Sequence, residues 1–176
     1  MEKDSCQGVK NFACFGILFT FILGCLLHFT YKLSGNHLLI GLFTPVNESV
    51  WEHLKLLFYA WLFYGLICYQ LLKPHIHNYW YGLSLAILCG NLFILILFYT
   101  YSGIMGRPIL FIDILTYLAS CLIAAYVFYK QLCIPKASKC YNILGMIFLI
   151  GMILLFAYFT YSPLSIPLFV DFGAKS

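Results

Sequence analysis

The sequence predicts an all-α integral membrane protein: a bundle of about five transmembrane helices with a re-entrant or interfacial first loop. Three observations carry this. The chain is 63% hydrophobic and only 9% charged, with a mean hydropathy of +0.93, a composition that leaves too little polar surface for a soluble fold. It contains five apolar runs long enough to cross a hydrocarbon core of about 30 Å, which takes at least ~18 residues of helix. The segments between these runs are too short to hold a soluble domain.

Taken in order, the runs cover about Asn11 to Tyr31, Lys55 to Leu72, Tyr79 to Tyr101, Ile109 to Tyr129 and Asn142 to Tyr161. The first follows a short charged segment (Glu2, Lys3, Asp4, Lys10). It is longer than a secretory apolar region and no small-x-small cleavage site follows Tyr31, so it reads as an uncleaved anchor. Pro74 stops the second run, and the breakers Gly103, Gly106, Arg107 and Pro108 separate the third from the fourth. No repeat, heptad or low-complexity tract interrupts the pattern, and residues 1–176 read as a single transmembrane domain.

Basic residues give the orientation. With the N-terminus cytoplasmic, the inner side holds Lys3, Lys10, Lys73, Lys130, Lys136 and Lys139, and the outer side Lys32, Lys55, Arg107 and Lys175. The bias places a multi-pass protein in the cell membrane with its N-terminus inside and its C-terminus outside. Lys32 and Lys55 lie at helix ends, where they can snorkel. The net charge of +4 is ordinary loop bias and implies no nucleic-acid partner.

Of the eight cysteines, Cys14, Cys25, Cys68, Cys89 and Cys121 fall inside spans, and Cys6, Cys133 and Cys140 fall on the inner, reducing side. They read as small packing residues. A Cys133 to Cys140 bridge would fit only an inverted topology.

The polar residues concentrate in Thr44-Pro45-Val46-Asn47-Glu48-Ser49-Val50-Trp51-Glu52-His53-Leu54-Lys55, which runs directly into the second span. Ionisable groups at such a place commonly have a function. Glu48, Glu52 and Lys55 follow an i, i+4, i+7 spacing; Asn47 pairs with Trp51 and Ser49 with His53 at i, i+4. A plainer reading stands beside it: Ser49-x-x-Glu52 is a capping box, and acidic groups suit a helix N-terminus. Asp113 sits among apolar neighbours four or five residues into the fourth span, where an unpaired carboxylate costs about 2.5 to 3.5 kcal/mol. Its candidate partners are His28, His53, Arg107 and Lys55. At ~1.5 Å rise per residue, His28, the Glu48 to His53 turn and Asp113 reach one level, and the expected pocket is Asn47, Glu48, Ser49, Trp51, Glu52, His53, Lys55, Asp113 and His28. Glu48, Glu52, His53 and Asp113 are the candidate ligands for zinc or another divalent metal. The inner turn with His75 and His77 is a full helix length away and reads as solvated. Asn91 reads as interhelical glue.

The string Pro45-Val46-Asn47-Glu48-Ser49-x-Trp51-Glu52-His53-x-Lys55 is preceded by Ser34-Gly35-Asn36 and Gly41-Leu42-Phe43. Together with the closing Tyr161-Ser162-Pro163 and Ile166-Pro167-Leu168-Phe169-x-Asp171, it resembles a domain-of-unknown-function family of small polytopic bacterial membrane proteins. The resemblance implies a polytopic membrane fold and no established activity. Here Pro163-Leu164 stands where that family's pattern has a Pro-Pro pair.

Three function classes fit these residues. The first is a membrane protein whose outer pocket binds a lipid headgroup, an ion or a partner. The second is a metal-dependent membrane lipid hydrolase, which is similar to the ceramidase-like superfamily in having Ser, Asp and His near a membrane face, although that superfamily's paired histidines on a late helix are absent. The third is the substrate-capture subunit of an uptake transporter. The expected partners are the lipid bilayer and a lipid or small-molecule ligand.

Overall fold

The computed structural model describes residues 2–71, 78–134 and 139–173, with side chains from residue 6 onward. His75 and His77 lie outside the described residues. The order is α1 (Glu2–Leu33), α2 (Leu38–Gly41), α3 (Val50–Leu71), α4 (Tyr79–Met105), α5 (Leu110–Leu132), α6 (Lys139–Tyr161) and a 3₁₀ turn, Pro167–Phe169. Among the described residues, five helices are long and apolar enough to cross a membrane: α1, α3, α4, α5 and α6. Each starts or ends a few residues beyond its apolar run, because backbone hydrogen bonding continues into the polar turns that hydropathy excludes.

Helix α3 forms the centre of the bundle. It packs against α1 and α4 and touches α5 and α6, and Leu57, Phe58, Ala60 and Trp61 on it are completely buried. The outer helices turn large apolar side chains outward, Phe15, Ile22, Ile96, Leu122 and Leu154 among them. This inversion suits a hydrocarbon solvent, in which an apolar exterior costs nothing. Tyrosine hydroxyls bond the helices to one another through backbone carbonyls: Tyr64 to Phe12, Tyr79 to Gly65 and Tyr117 to Thr20, the last at 2.9 Å. Helix α6 lies so close to α4 that a Cβ on Gly145 would come within 2.6 Å of the Trp80 carbonyl oxygen.

Gly106 ends α4 at φ +71°, a left-handed cap that glycine adopts without penalty. Pro108 and the extended Ile109 then reverse the chain into α5. Asn91 is buried, and its Oδ1 has no partner among the described residues. It does not act as the interhelical glue its position suggested.

The cysteines depart from expectation. Cys6 at the start of α1 and Cys133 just past the end of α5 are joined in a disulfide, while Cys14, Cys25, Cys68, Cys89, Cys121 and Cys140 are free. The bond requires the helix ends to be neighbours, which a sequence separation of 127 residues conceals. Such a bond is foreign to a reducing compartment, so it pulls against the lysine bias that puts this end of the bundle in the cytoplasm. Cys140, exposed at the start of α6 on the same end, reads out the compartment. Labelling of intact cells with an impermeant maleimide should modify Cys140 only where Cys6 and Cys133 are oxidised; a labelled Cys140 beside a reduced pair would contradict this arrangement.

Candidate functional site

The turn before α3 separates the polar residues into two groups. The Asn47 carboxamide oxygen accepts the Ser49 N–H at 3.0 Å, and the Ser49 hydroxyl oxygen accepts the Glu52 N–H at 3.4 Å. These local bonds delay the helix to Val50 with Ser49 as its cap. Glu48 therefore precedes the helix and does not share a face with Glu52 and Lys55, contrary to the i, i+4, i+7 expectation.

Glu52 and Lys55 form the first group. Their side chains are 2% and 0% exposed and meet at 2.7 Å. Lys55 Nζ also donates to the carbonyl oxygens of Gly41 (2.9 Å) and Thr44 (3.4 Å). Glu52 accepts the Val46 N–H at 2.9 Å and the Thr160 hydroxyl at 3.2 Å. Glu52 is thus engaged by Lys55, Val46 and Thr160 and, among the described residues, does not group with the histidines as a possible ligand set, and Lys55 is buried and does not snorkel. Trp51 turns away from the polar group as well, packing on Phe156, Phe159 and Phe169.

The second group is His28, Glu48 and His53. His28 Nε2 lies 3.2 Å from His53 Nε2 and 3.6 Å from Glu48 Oε2, and His53 Nε2 lies 3.4 Å from the same oxygen. His53 Nδ1 is 2.8 Å from the Ser49 carbonyl oxygen. A carbonyl only accepts, so Nδ1 carries a proton and donates it there, and in the neutral imidazole Nε2 keeps its lone pair toward the cluster. Ligating histidines are commonly oriented by such a bond. The three atoms suit one ion: Zn–N and Zn–O bonds of about 2.0 to 2.1 Å at tetrahedral angles put neighbouring donors about 3.3 to 3.4 Å apart.

The tail completes the group. Asp171 Oδ1 accepts the Glu48 N–H at 3.2 Å and the Gly173 N–H at 2.9 Å. Lys32 Nζ is 3.6 Å from Glu48 Oε1. The hydrogen bond to His53, together with the fields of His53, His28 and Lys32, outweighs partial burial and pulls the Glu48 carboxyl down to about 2.

The cluster lies where two cavities meet. One, of about 380 Å³, is lined mainly by apolar side chains of α1, α3, α4 and α5 and by Phe172, with His28, Glu48, His53 and Asp113 on its wall. The other, of about 240 Å³, is more polar and is bordered by Lys32, Asn47 and Asp171 in addition to His28 and Glu48. Asp113 accepts a hydrogen bond from the Tyr101 hydroxyl, which in turn accepts the Ile109 N–H at 3.3 Å. Its direct partner is therefore Tyr101 and not one of the four basic groups expected, although its charge acts on His53.

A family model described as a family of unknown function, DUF6512, matches residues 1–174. The chain belongs to this family. No curated protein and no solved structure matches the chain.

Lys32, Tyr101, Asp171 and Thr116, the last on the wall of the apolar cavity, are polar members that sequence reading did not place in the site. Asp171 had a signal, as part of the closing motif that accompanies the Pro45 to Lys55 string. Tyr101 had none, being one of 14 tyrosines in the chain, many of them near helix ends.

Two outcomes follow from these geometries. Lys55→Met should cost about 3 to 5 kcal/mol, because it leaves the Glu52 carboxylate buried without its counter-charge; thermal unfolding in detergent measures it, and replacing Glu52 by Gln in the same chain should restore part of the loss. Glu48 has a folded pKa below its ordinary value of 4.5, so metal-free protein binds fewer protons there folded than unfolded. Its stabilising contribution should be complete above pH 4.5 and disappear as pH falls to about 2. Comparing acid unfolding of wild type and Glu48→Gln should show this component only in the wild type.

Proposed function

We propose that this protein binds a divalent metal ion, zinc by its donor set, at His28, Glu48 and His53, and that the ion serves as a Lewis-acid centre for hydrolysis in the membrane. The observation that carries the reading is the triangle of donor atoms at 3.2, 3.4 and 3.6 Å with cavities on both sides. Two histidines and a glutamate leave a fourth tetrahedral position for water, the pattern of catalytic zinc; structural zinc sites are closed by four protein ligands. A bound zinc lowers the pKa of its water to about 7, which supplies hydroxide at neutral pH.

The ligand set narrows the sequence expectation. Glu52 is committed to Lys55, and Asp113 remains as a carboxylate on the cavity wall outside the triad. A metal would take the place of the proton that otherwise lies between His53 and Glu48, and it would also relieve the close approach of two ring nitrogens. Asp171 holds the Glu48 backbone as an outer support.

The ligand-binding alternative without turnover uses the same cavity and no metal. Metal analysis separates the two. Protein purified in detergent without chelator should carry about one zinc per chain. His28→Ala, Glu48→Ala and His53→Ala should each lose it, while Glu52→Gln should retain it in whatever fraction folds. Cobalt exchange should give visible absorption of a four-coordinate site. A wild type that binds neither zinc nor cobalt would leave the triad as an ion-paired His and Glu cluster.

A further inference from the structure

We infer that the substrate is a bilayer lipid with a carbonyl-linked acyl chain, admitted sideways between α1 and α5 and cleaved at that linkage. This rests on the metal site proposed above and adds the substrate class, its route and two further residues. The apolar cavity reaches the lipid-facing surface: its wall includes Leu110 and Ile114, 74% and 45% exposed, and the exposed Cys25. Helices α1 and α5 are held together deeper in the bundle, where Tyr117 donates to the Thr20 carbonyl. Gly24 gives that tyrosine its space, since a Cβ there would lie 1.8 Å from the hydroxyl oxygen. Above this contact residues of both helices line the cavity, and its lining is mainly apolar.

A chain arriving this way is bounded by apolar side chains and ends at the triad. The second cavity, lined by Lys32, Asn47 and Asp171, meets the first at His28 and Glu48 and provides room for a polar headgroup and for water. The apolar cavity, at about 380 Å³, lies within the range of about 300 to 1,000 Å³ typical of ligand pockets, and the adjoining 240 Å³ adds room for a small amphiphile. The arrangement places lipid on one side, water on the other and the donor atoms between them.

Two groups on α5 face the same cavity, one helical turn apart. Asp113 is a carboxylate outside the triad. Thr116 is 3% exposed, and its hydroxyl has no partner among the described residues. A buried orphan hydroxyl is costly unless something else bonds to it, and a substrate carbonyl oxygen would accept that bond. In the reaction, the oxygen of the activated water forms a bond to the carbonyl carbon while Asp113 accepts a water proton. The bond from that carbon to the headgroup oxygen or nitrogen then breaks, and Asp113 returns the proton to the leaving alkoxide or amine. The products are a fatty acid and the free alcohol or amine, with no oxidant or further reactant required.

The test uses the full chain in nanodiscs of ether-linked (dialkyl) phosphatidylcholine, which has no acyl linkage to cleave, carrying 1-oleoylglycerol or N-oleoylethanolamine, with zinc content measured on every sample. Zinc-loaded wild type should release oleic acid from at least one of them, and chelation should abolish release. Asp113→Asn should keep its zinc and lose about 10²- to 10⁴-fold in rate. Thr116→Val should keep both zinc and thermal stability and lose about 10²- to 10³-fold, as removal of an oxyanion donor does. Leu110→Trp and Ile114→Trp fill the gap at two surface positions; either one, with zinc retained, should lose release from the bilayer lipids. Zinc-loaded protein that releases no oleic acid from either lipid would overturn this inference and leave the metal site standing. Undiminished release in both tryptophan variants would overturn the lateral route. Absence of zinc from the wild type would instead remove the metal reading on which the inference rests.

Discussion

The buried pair of Glu52 and Lys55 is the constraint on which the polar end of this bundle depends. An ammonium and a carboxylate without water must satisfy every donor and acceptor nearby, and here they do so by holding the chain around them. Lys55 gathers the carbonyls of Gly41 and Thr44, and Glu52 takes the Val46 N–H and the Thr160 hydroxyl. One ion pair thereby fixes the first loop, the start of α3 and the end of α6 against each other. The turn that follows Val46 has little freedom left, and Glu48 projects toward α1 because Glu52 is already held on the other side.

This division of labour accounts for two carboxylates so close in sequence having different fates. Glu52 is enclosed and neutralised by a neighbour on its own helix. Glu48 stays half-exposed, faces two imidazoles and a lysine, and has its backbone held by Asp171 from the tail. The first arrangement gives rigidity. The second gathers donor atoms around a space, and the rigidity of the first keeps those atoms in place.

The same logic extends through the interior, where polar side chains mostly bond to backbone carbonyls across or along helices. Tyr64, Tyr79 and Tyr117 tie helices together, and Thr20, Ser84 and Ser120 bond within their own helices. Against that background Thr116 is an exception beside the cavity: its hydroxyl, like the indole nitrogens of Trp51 and Trp61 and the Asn91 Oδ1 elsewhere in the bundle, has no partner among the described residues. Another exception is the Cys6–Cys133 bond, which joins α1 to α5 at the end opposite the cavity while Tyr117 joins them nearer the middle. The two helices are thus tied at one end and separated at the other.

The sequence by itself determined the class and the spans. Hydrocarbon thickness sets a minimum length for an apolar helix, and five runs meet it whatever their packing. Composition also marked the Thr44 to Lys55 window as unusual, because charge is rare in so apolar a chain. Only the tertiary structure decided which of its residues face one another. Helical spacing assigned Glu48, Glu52 and Lys55 to one face, but the Asn47 and Ser49 side chains satisfy the first backbone donors and start the helix later, so the spacing did not apply to Glu48. Partners such as Tyr101 for Asp113, Asp171 for Glu48 and Cys6 for Cys133 were not legible, since neighbouring helix ends leave no local pattern in the chain. Periodicity reports which side of a helix a residue occupies, whereas the cluster of His28, Glu48 and His53 depends on how α1 and α3 are rotated and how far the turn before α3 reaches toward α1.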